Sequence, residues 1–87
     1  MQTKKIVIQN KYGLHVRTAS ELAKKIINLK SKVTLRKGGE RADGRSVLQL
    51  LMLGANKGTE LELTINGGNE ENSMLKLSQF FLDGSGI

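Results

Sequence analysis

The chain of 87 residues is sized for one domain with a single compact core. Its lack of cysteine excludes disulfides, thiolate metal sites and thiol chemistry, and no apolar run approaches the ~20 residues that a membrane span needs. The formal charge of +6 is lopsided, with 12 Lys/Arg against 3 Asp/Glu in residues 1–45 and 2 against 5 in residues 46–87. A basic half of this kind fits either an acidic partner (nucleic acid, phosphate or an acidic protein face) or a solvated surface with a large dipole. Met1–Lys5 leads into only three apolar residues, so no secretory signal is read there and the expected location is cytoplasmic.

Lys4–Gln9 predicts a short strand, because Ile6 and Ile8 share one face and Ile-Val-Ile is β-branched. Asn10–Gly13 breaks it. From Val16 to about Asn28 the period becomes helical, with Ala19, Leu22, Ala23 and Ile26 as the apolar stripe, widened by Val16 and Ile27. Lys32–Lys37 alternates again, with Val33 and Leu35 inward. Gly38-Gly39 is a turn signal, and Glu40–Asp43 reads as a return strand with Ala42 inward. Ser46, followed three residues later by Gln49, has the spacing of a capping box. The helix it opens, Val47–Leu53, is short and stops at Gly54. Glu60–Asn66 is the clearest strand, with Leu61, Leu63 and Ile65 on one side. After Gly67–Asn69, Glu70 and Glu71 suit a helix N-terminus, and Met74, Leu77 and Phe81 with Leu75 and Leu82 supply that helix with an apolar side. Asp83-Gly84 ends it, and Ser85–Ile87 is expected to fray. The order is β-α-β-β-α-β-α. Strands that alternate cleanly keep one face in water, so the fold class is α+β, an antiparallel sheet with helices on a single face.

The sole histidine, His15, lies where the first loop becomes the first helix, in Tyr12-Gly-Leu-His-Val-Arg-Thr-Ala-Ser20. A helix N-terminus presents free N–H groups and partial positive charge, which disfavour imidazolium and stabilise an anion attached to the ring. Arg17, in the first turn, adds a fixed cation with a donor fork suited to phosphate oxygens. Gly13 permits a close approach of backbone to ligand. The bland alternative is a solvated or capping histidine beside a surface arginine. No Ser/Asp partner completes a hydrolytic triad, and one histidine cannot form a metal site.

Gly13-Leu-His-Val-Arg-Thr-Ala19 resembles the active-site motif of the HPr family, the histidine phosphocarriers of the bacterial phosphotransferase system. Arg45-Ser-Val-Leu-Gln-Leu-Leu-Met-Leu-Gly54 resembles that family's second signature, a serine opening a short apolar helix that ends in Leu-Gly. Lys57-Gly-Thr59, the strand Glu60–Asn66, the length and the element order agree, so the resemblance covers residues 1–87 as one HPr-like domain. It implies an open-faced β-sandwich, a four-stranded antiparallel sheet with three helices on one face. It also implies that His15 is phosphorylated on a ring nitrogen, Nδ1 in the family, with Arg17 stabilising the phosphoryl group. By the same resemblance the chain is a carrier in a phosphotransferase relay, not a stand-alone enzyme. Phosphate would come from enzyme I, charged by phosphoenolpyruvate, and pass to A subunits of sugar permeases or a nitrogen-related regulatory branch. No cofactor, metal, nucleic acid or membrane insertion is implied, and a monomer is expected. The sequence departs at Thr18, where the family usually has proline, and at Val16, bulkier than the usual residue.

Ser46 matches the family's regulatory phosphorylation site, which would require a kinase or phosphorylase as partner; a capping serine accounts for the same position without regulation. In the short helix, periodicity sends Leu50 and Leu53 to the core. That leaves Val47, Leu48, Leu51 and Met52 as a partly exposed apolar patch beside a basic rim, a candidate partner-docking site. Two other classes compete. A basic RNA-binding α+β module is opposed by strands without stacking aromatics and by Phe80 and Phe81 falling in a helix. A regulatory homologue without carrier activity is opposed by retention of His15 and Arg17.

Overall fold

The computed structural model describes residues 1–83, so the expected fraying of Ser85–Ile87 lies outside the described residues. The elements run β1 (Gln2–Val7), α1 (Val16–Ile27), β2 (Ser31–Lys37), β3 (Glu40–Asp43), α2 (Val47–Met52), β4 (Glu60–Gly67) and α3 (Glu70–Leu82). The strands form one sheet in the order β1-β4-β2-β3 with every pair antiparallel. The strand with the cleanest alternation, β4, is central. It pairs Leu61 with Ile6 on one side, and Leu63 and Ile65 with Leu35 and Val33 on the other.

The period-two pattern separates the two faces. Ile6, Val33, Leu35, Ala42, Leu61, Leu63 and Ile65 are buried beneath the helices. The other face carries a row of Thr3, Thr64 and Thr34 and a row of Lys5, Glu62 and Arg36, with an Arg36–Glu62 ion pair at 2.8 Å. This is the open-faced sandwich expected, its helices contributing Leu22, Ile26, Leu50, Leu77 and Phe81 to the same core.

Some local expectations move by a residue or two for tertiary reasons. The first strand begins at Gln2, not Lys4, because β4 is long enough to pair with Gln2 at Ile65. Beyond Val7 the ladder passes to a loop: Ile8 N–H donates to Thr59 O at 3.0 Å and Gly58 N–H to Ile8 O at 2.9 Å. Facing Leu63 across the register is Lys4, on the core side of the edge strand, with Nζ donating to Ser78 Oγ at 3.2 Å. Val16 and Ile27 do not widen the α1 stripe, since both are mostly exposed; buried Thr18 extends it instead. On α3, Leu75 and Leu82 point outward, while Ser73, Ser78 and Phe80 are buried. Each of the two leucines sits one residue past a buried neighbour, and ~100° of rotation carries it off the packed arc. Ser46 Oγ accepts from Gln49 N–H at 3.2 Å, as a capping box requires. The reciprocal bond goes elsewhere, with Asp43 N–H donating to Gln49 Oε1 at 2.8 Å and tying α2 to the end of β3.

The start of α3 is clamped by Glu70, which accepts from Gly67 N–H at 2.8 Å and pairs with the amino-terminal ammonium at 2.8 Å. The hydrogen bond from that ammonium, then the one from Gly67, hold the Glu70 carboxyl below its ordinary value of 4.5. A carboxyl depressed in the folded state stabilises above its unfolded value and loses that contribution as pH falls through the folded one. Glu70→Gln should therefore lower the thermal midpoint at neutral pH and converge with wild type in strong acid. A gap of constant size across an acid titration would show that the charge on Glu70 is irrelevant.

Candidate functional site

His15 is the N-cap of α1, with extended backbone at φ −93° and ψ −179°. Its carbonyl accepts the first helical bond, from Ala19 N–H at 2.8 Å. Its ring makes no capping bond to the helix, and the first turn contains no acidic residue. The amide donors and partial positive charge of this terminus therefore meet no carboxylate of the helix's own. Arg17 follows in the same turn with an exposed side chain.

The loop before His15 is fixed by backbone. Gly13 adopts φ +70°, and a Cβ there would lie 2.4 Å from Ala55 O and 2.7 Å from Asn56 Cα. Leu14 N–H donates to Ala55 O at 2.8 Å, and the Leu14 side chain is buried. The close approach that Gly13 permits is thus to the Ala55–Asn56 backbone rather than to a ligand. It welds the His15 loop to the segment leaving α2.

Thr18 stood out in the sequence only as a departure from the family's proline, and Asn10, Lys11 and Tyr12 only as part of the loop before the helix; the structure gathers all four at or near the ring. Thr18 Oγ1 lies 2.9 Å from His15 Nε2. Thr18 is almost wholly buried and receives a hydrogen bond from Asn10 Nδ2 at 3.4 Å. Tyr12 stands edge-on to the imidazole, with ring centroids 6.1 Å apart, and Lys11 Nζ lies 5.4 Å from the Tyr12 ring centre. The signal for Thr18 was its spacing: position N3 is where a residue reaches back to an N-cap.

The other predicted residues lie on α2, which packs against α1. Ser46 is half-buried and caps that helix. Leu50 and Leu53 enter the core as expected. Leu48 and Met52 are each 69% exposed, whereas Val47 and Leu51 are partly buried against the core. Lys37 Nζ donates to the Leu53 carbonyl at 2.8 Å and so closes the C-terminal end of α2. Among the described residues no group of three or more His, Asp or Glu is placed to hold a metal ion, and no helix is long and apolar enough to cross a membrane. The open sheet face presents threonines and charged residues, with no aromatic on which a base could stack.

An open-faced sandwich that holds one accessible imidazole at an uncompensated helix N-terminus, with an arginine in the same turn, defines a phosphoryl-carrier type of protein. Comparison with known proteins gives the family. A family model described as "PTS HPr component phosphorylation site" matches residues 2–83. Phosphocarrier protein HPr of Neisseria meningitidis serogroup A is 37% identical over 78 residues, covering 90% of this chain and 88% of that protein. The HPr of Chlamydia trachomatis serovar D is 37% identical over 79 residues, covering 91% of this chain and 72% of its own. The crystal structure of HPr-C-His from Thermoanaerobacter tengcongensis superposes with a TM-score of 0.93 at 25% identity, covering 100% of this chain and 98% of that one. The chain belongs to the HPr phosphocarrier family of the phosphotransferase system. It is a phosphocarrier of that relay rather than a stand-alone enzyme.

Gly13→Ala tests the weld. The left-handed φ and the overlap with Ala55 O together should cost about 2 kcal/mol or more of stability, read by urea unfolding. Unchanged stability would show that the loop is not held by this contact.

Proposed function

We propose that residues 1–87 act as one phosphocarrier domain in which His15 accepts the phosphoryl group and Arg17 stabilises it. The observation that carries this is the placement of the ring: it stands on the N-cap residue of a helix whose first-turn amides and guanidinium bear positive charge, with no acidic residue among them. In the transfer, a lone pair of the ring attacks phosphorus, the P–N bond forms, and the bond to the donor breaks with its electrons returning to the donor. Little covalent chemistry is needed beyond the nucleophile. Positioning and charge stabilisation carry the rate. The donor is enzyme I charged by phosphoenolpyruvate, and the acceptors are A subunits of sugar permeases or a nitrogen-related regulatory branch, all in the cytoplasm.

Docking is assigned to the apolar surface of α2, with Leu48 and Met52 fully presented and Val47 and Leu51 supporting them from the core side. Val16, 63% exposed beside His15, belongs to the same contact region. A partner covering this surface would bury apolar area around the reacting ring and exclude water from it. Ser46 opens the docking helix, so a phosphate placed there by a kinase would add charge to the contact surface. A phosphorylase would remove it.

Incubation with enzyme I and phosphoenolpyruvate should add one acid-labile, base-stable phosphoryl group, read by intact mass, and His15→Ala should abolish it. Persistent labelling of that variant would defeat the assignment. Arg17→Ala should keep the fold and slow transfer about tenfold or more; equal rates would reduce Arg17 to a surface charge.

The docking surface makes a separate demand. Asp caps helices as well as Ser does, so Ser46→Asp should shift stability by under ~1 kcal/mol. Its carboxylate would nonetheless have to be desolvated on docking, so transfer from enzyme I should weaken clearly, through KM more than kcat. Leu48→Ala should do the same, with a binding loss of about 1–2 kcal/mol. Normal transfer by both variants would place docking elsewhere on the molecule.

A further inference from the structure

We infer that Thr18 is a positioning residue for phosphoryl transfer: its hydroxyl oxygen accepts the Nε2–H of His15 and leaves the free ring lone pair at Nδ1. This rests on His15 as the acceptor proposed above. The contact is 2.9 Å between Thr18 Oγ1 and His15 Nε2, and for a neutral ring only two proton arrangements satisfy it. If the hydroxyl donates, the Nε2 lone pair is consumed, the neutral ring carries its proton on Nδ1, and no nucleophilic nitrogen remains. If Nε2–H donates, Nδ1 is unprotonated and able to attack. Only the second arrangement is compatible with phosphoryl acceptance.

The surroundings hold that arrangement in place. Thr18 is 1% exposed, so water does not compete for its oxygen. Asn10, equally buried, donates from Nδ2 to the same oxygen at 3.4 Å. A hydroxyl oxygen has two lone pairs, so the Asn10 amide and the imidazole N–H can both donate to it. The Tyr12 and His15 rings meet in a T-shaped arrangement, 6.1 Å between centroids. During transfer Nδ1 forms the bond to phosphorus, the bond from phosphorus to the donor breaks, and its electron pair returns to the donor. Nε2 keeps its proton throughout, and the positive charge that grows on the ring is stabilised by the Thr18 oxygen it faces. A proline at this position has no side-chain oxygen with which to make the contact.

Two variants remove the hydroxyl by different routes. Thr18→Val preserves shape. Thr18→Pro suits a first helical turn, where the lost amide has no helical partner. Thr18→Ser retains the hydroxyl. Long-range proton–nitrogen spectra of His15 at about pH 9, where an ordinary imidazole is neutral, should show one tautomer in wild type and Thr18→Ser, with Nε2 protonated and Nδ1 bare. The other two variants should show nitrogen shifts averaged between tautomers. Transfer from charged enzyme I should slow about threefold to tenfold in them, the range of one neutral hydrogen bond, in kcat rather than KM, with Thr18→Ser near wild type. A wild-type ring protonated on Nδ1 would overturn the proposal, as would unchanged spectra and rates in Thr18→Val and Thr18→Pro. A wild-type protein that takes no phosphoryl group on His15 would overturn the acceptor assignment and Thr18's part in transfer. The spectra read the hydrogen bond without any phosphoryl donor, so the two failures are told apart.

Discussion

The site depends on one backbone joint. Leu14 N–H meets the Ala55 carbonyl because residue 13 has no side chain to keep the two segments apart. That contact brings the segment following α2 against the loop that opens α1, and buried Leu14 anchors it to the core. His15 is the next residue. Its backbone is therefore held from two sides, by the joint before it and by the first helical bond at its carbonyl. A ring mounted in this way can be reached by a partner without losing its orientation, and a carrier that must present one nitrogen to several proteins in turn requires that.

The two helix starts nearest the site are used in opposite ways. At α2 the cap is filled: the Ser46 hydroxyl satisfies the Gln49 amide, and the Gln49 side chain is spent on the Asp43 backbone. At α1 the capping residue gives no side-chain bond to the helix backbone, and its imidazole meets the Thr18 hydroxyl instead. The start of α1 thus goes without a side-chain cap of its own, at the expense of a contribution on the order of 1 kcal/mol. The core covers that cost easily, with twenty buried hydrophobic residues among those described, in a single cluster that draws on the sheet and all three helices.

Charge and apolar surface complement each other around the site. Exposed Tyr12 and Val16 flank the histidine, and exposed Leu48 and Met52 rise from the neighbouring helix. Most of the positive charge lies in residues 1–45, in the half of the sequence that contains the site. Long-range attraction of this kind speeds encounter with acidic surfaces, while the exposed apolar residues are the area that the proposed docking would bury. The open sheet face is chemically different, with threonine rows and a paired Arg36–Glu62, and it offers nothing comparable.

The order of elements, the inward positions of β2, β3 and β4, the Ala19, Leu22, Ala23 and Ile26 stripe of α1 and the place of His15 at a helix start were legible in the sequence. Each follows from a local rule: period two for a half-wet strand, period 3.6 for a helix packed on one side, and glycine or serine where a helix ends or begins. The motif around His15 carried the family in the same way. Pairing and packing decided the rest. Lys4 faces inward because its strand is an edge that lets the ammonium reach Ser78, and Leu75 and Leu82 face outward because the packed arc of α3 ends just short of them. The role of Gly13 could not be told from its neighbours in the sequence, since the atoms its missing side chain would strike belong to residues more than forty positions away. Thr18 read as a departure from the family pattern. Only the folded chain, which closes the loop from Asn10 to His15 around a buried hydroxyl, makes it a hydrogen-bond partner of the imidazole.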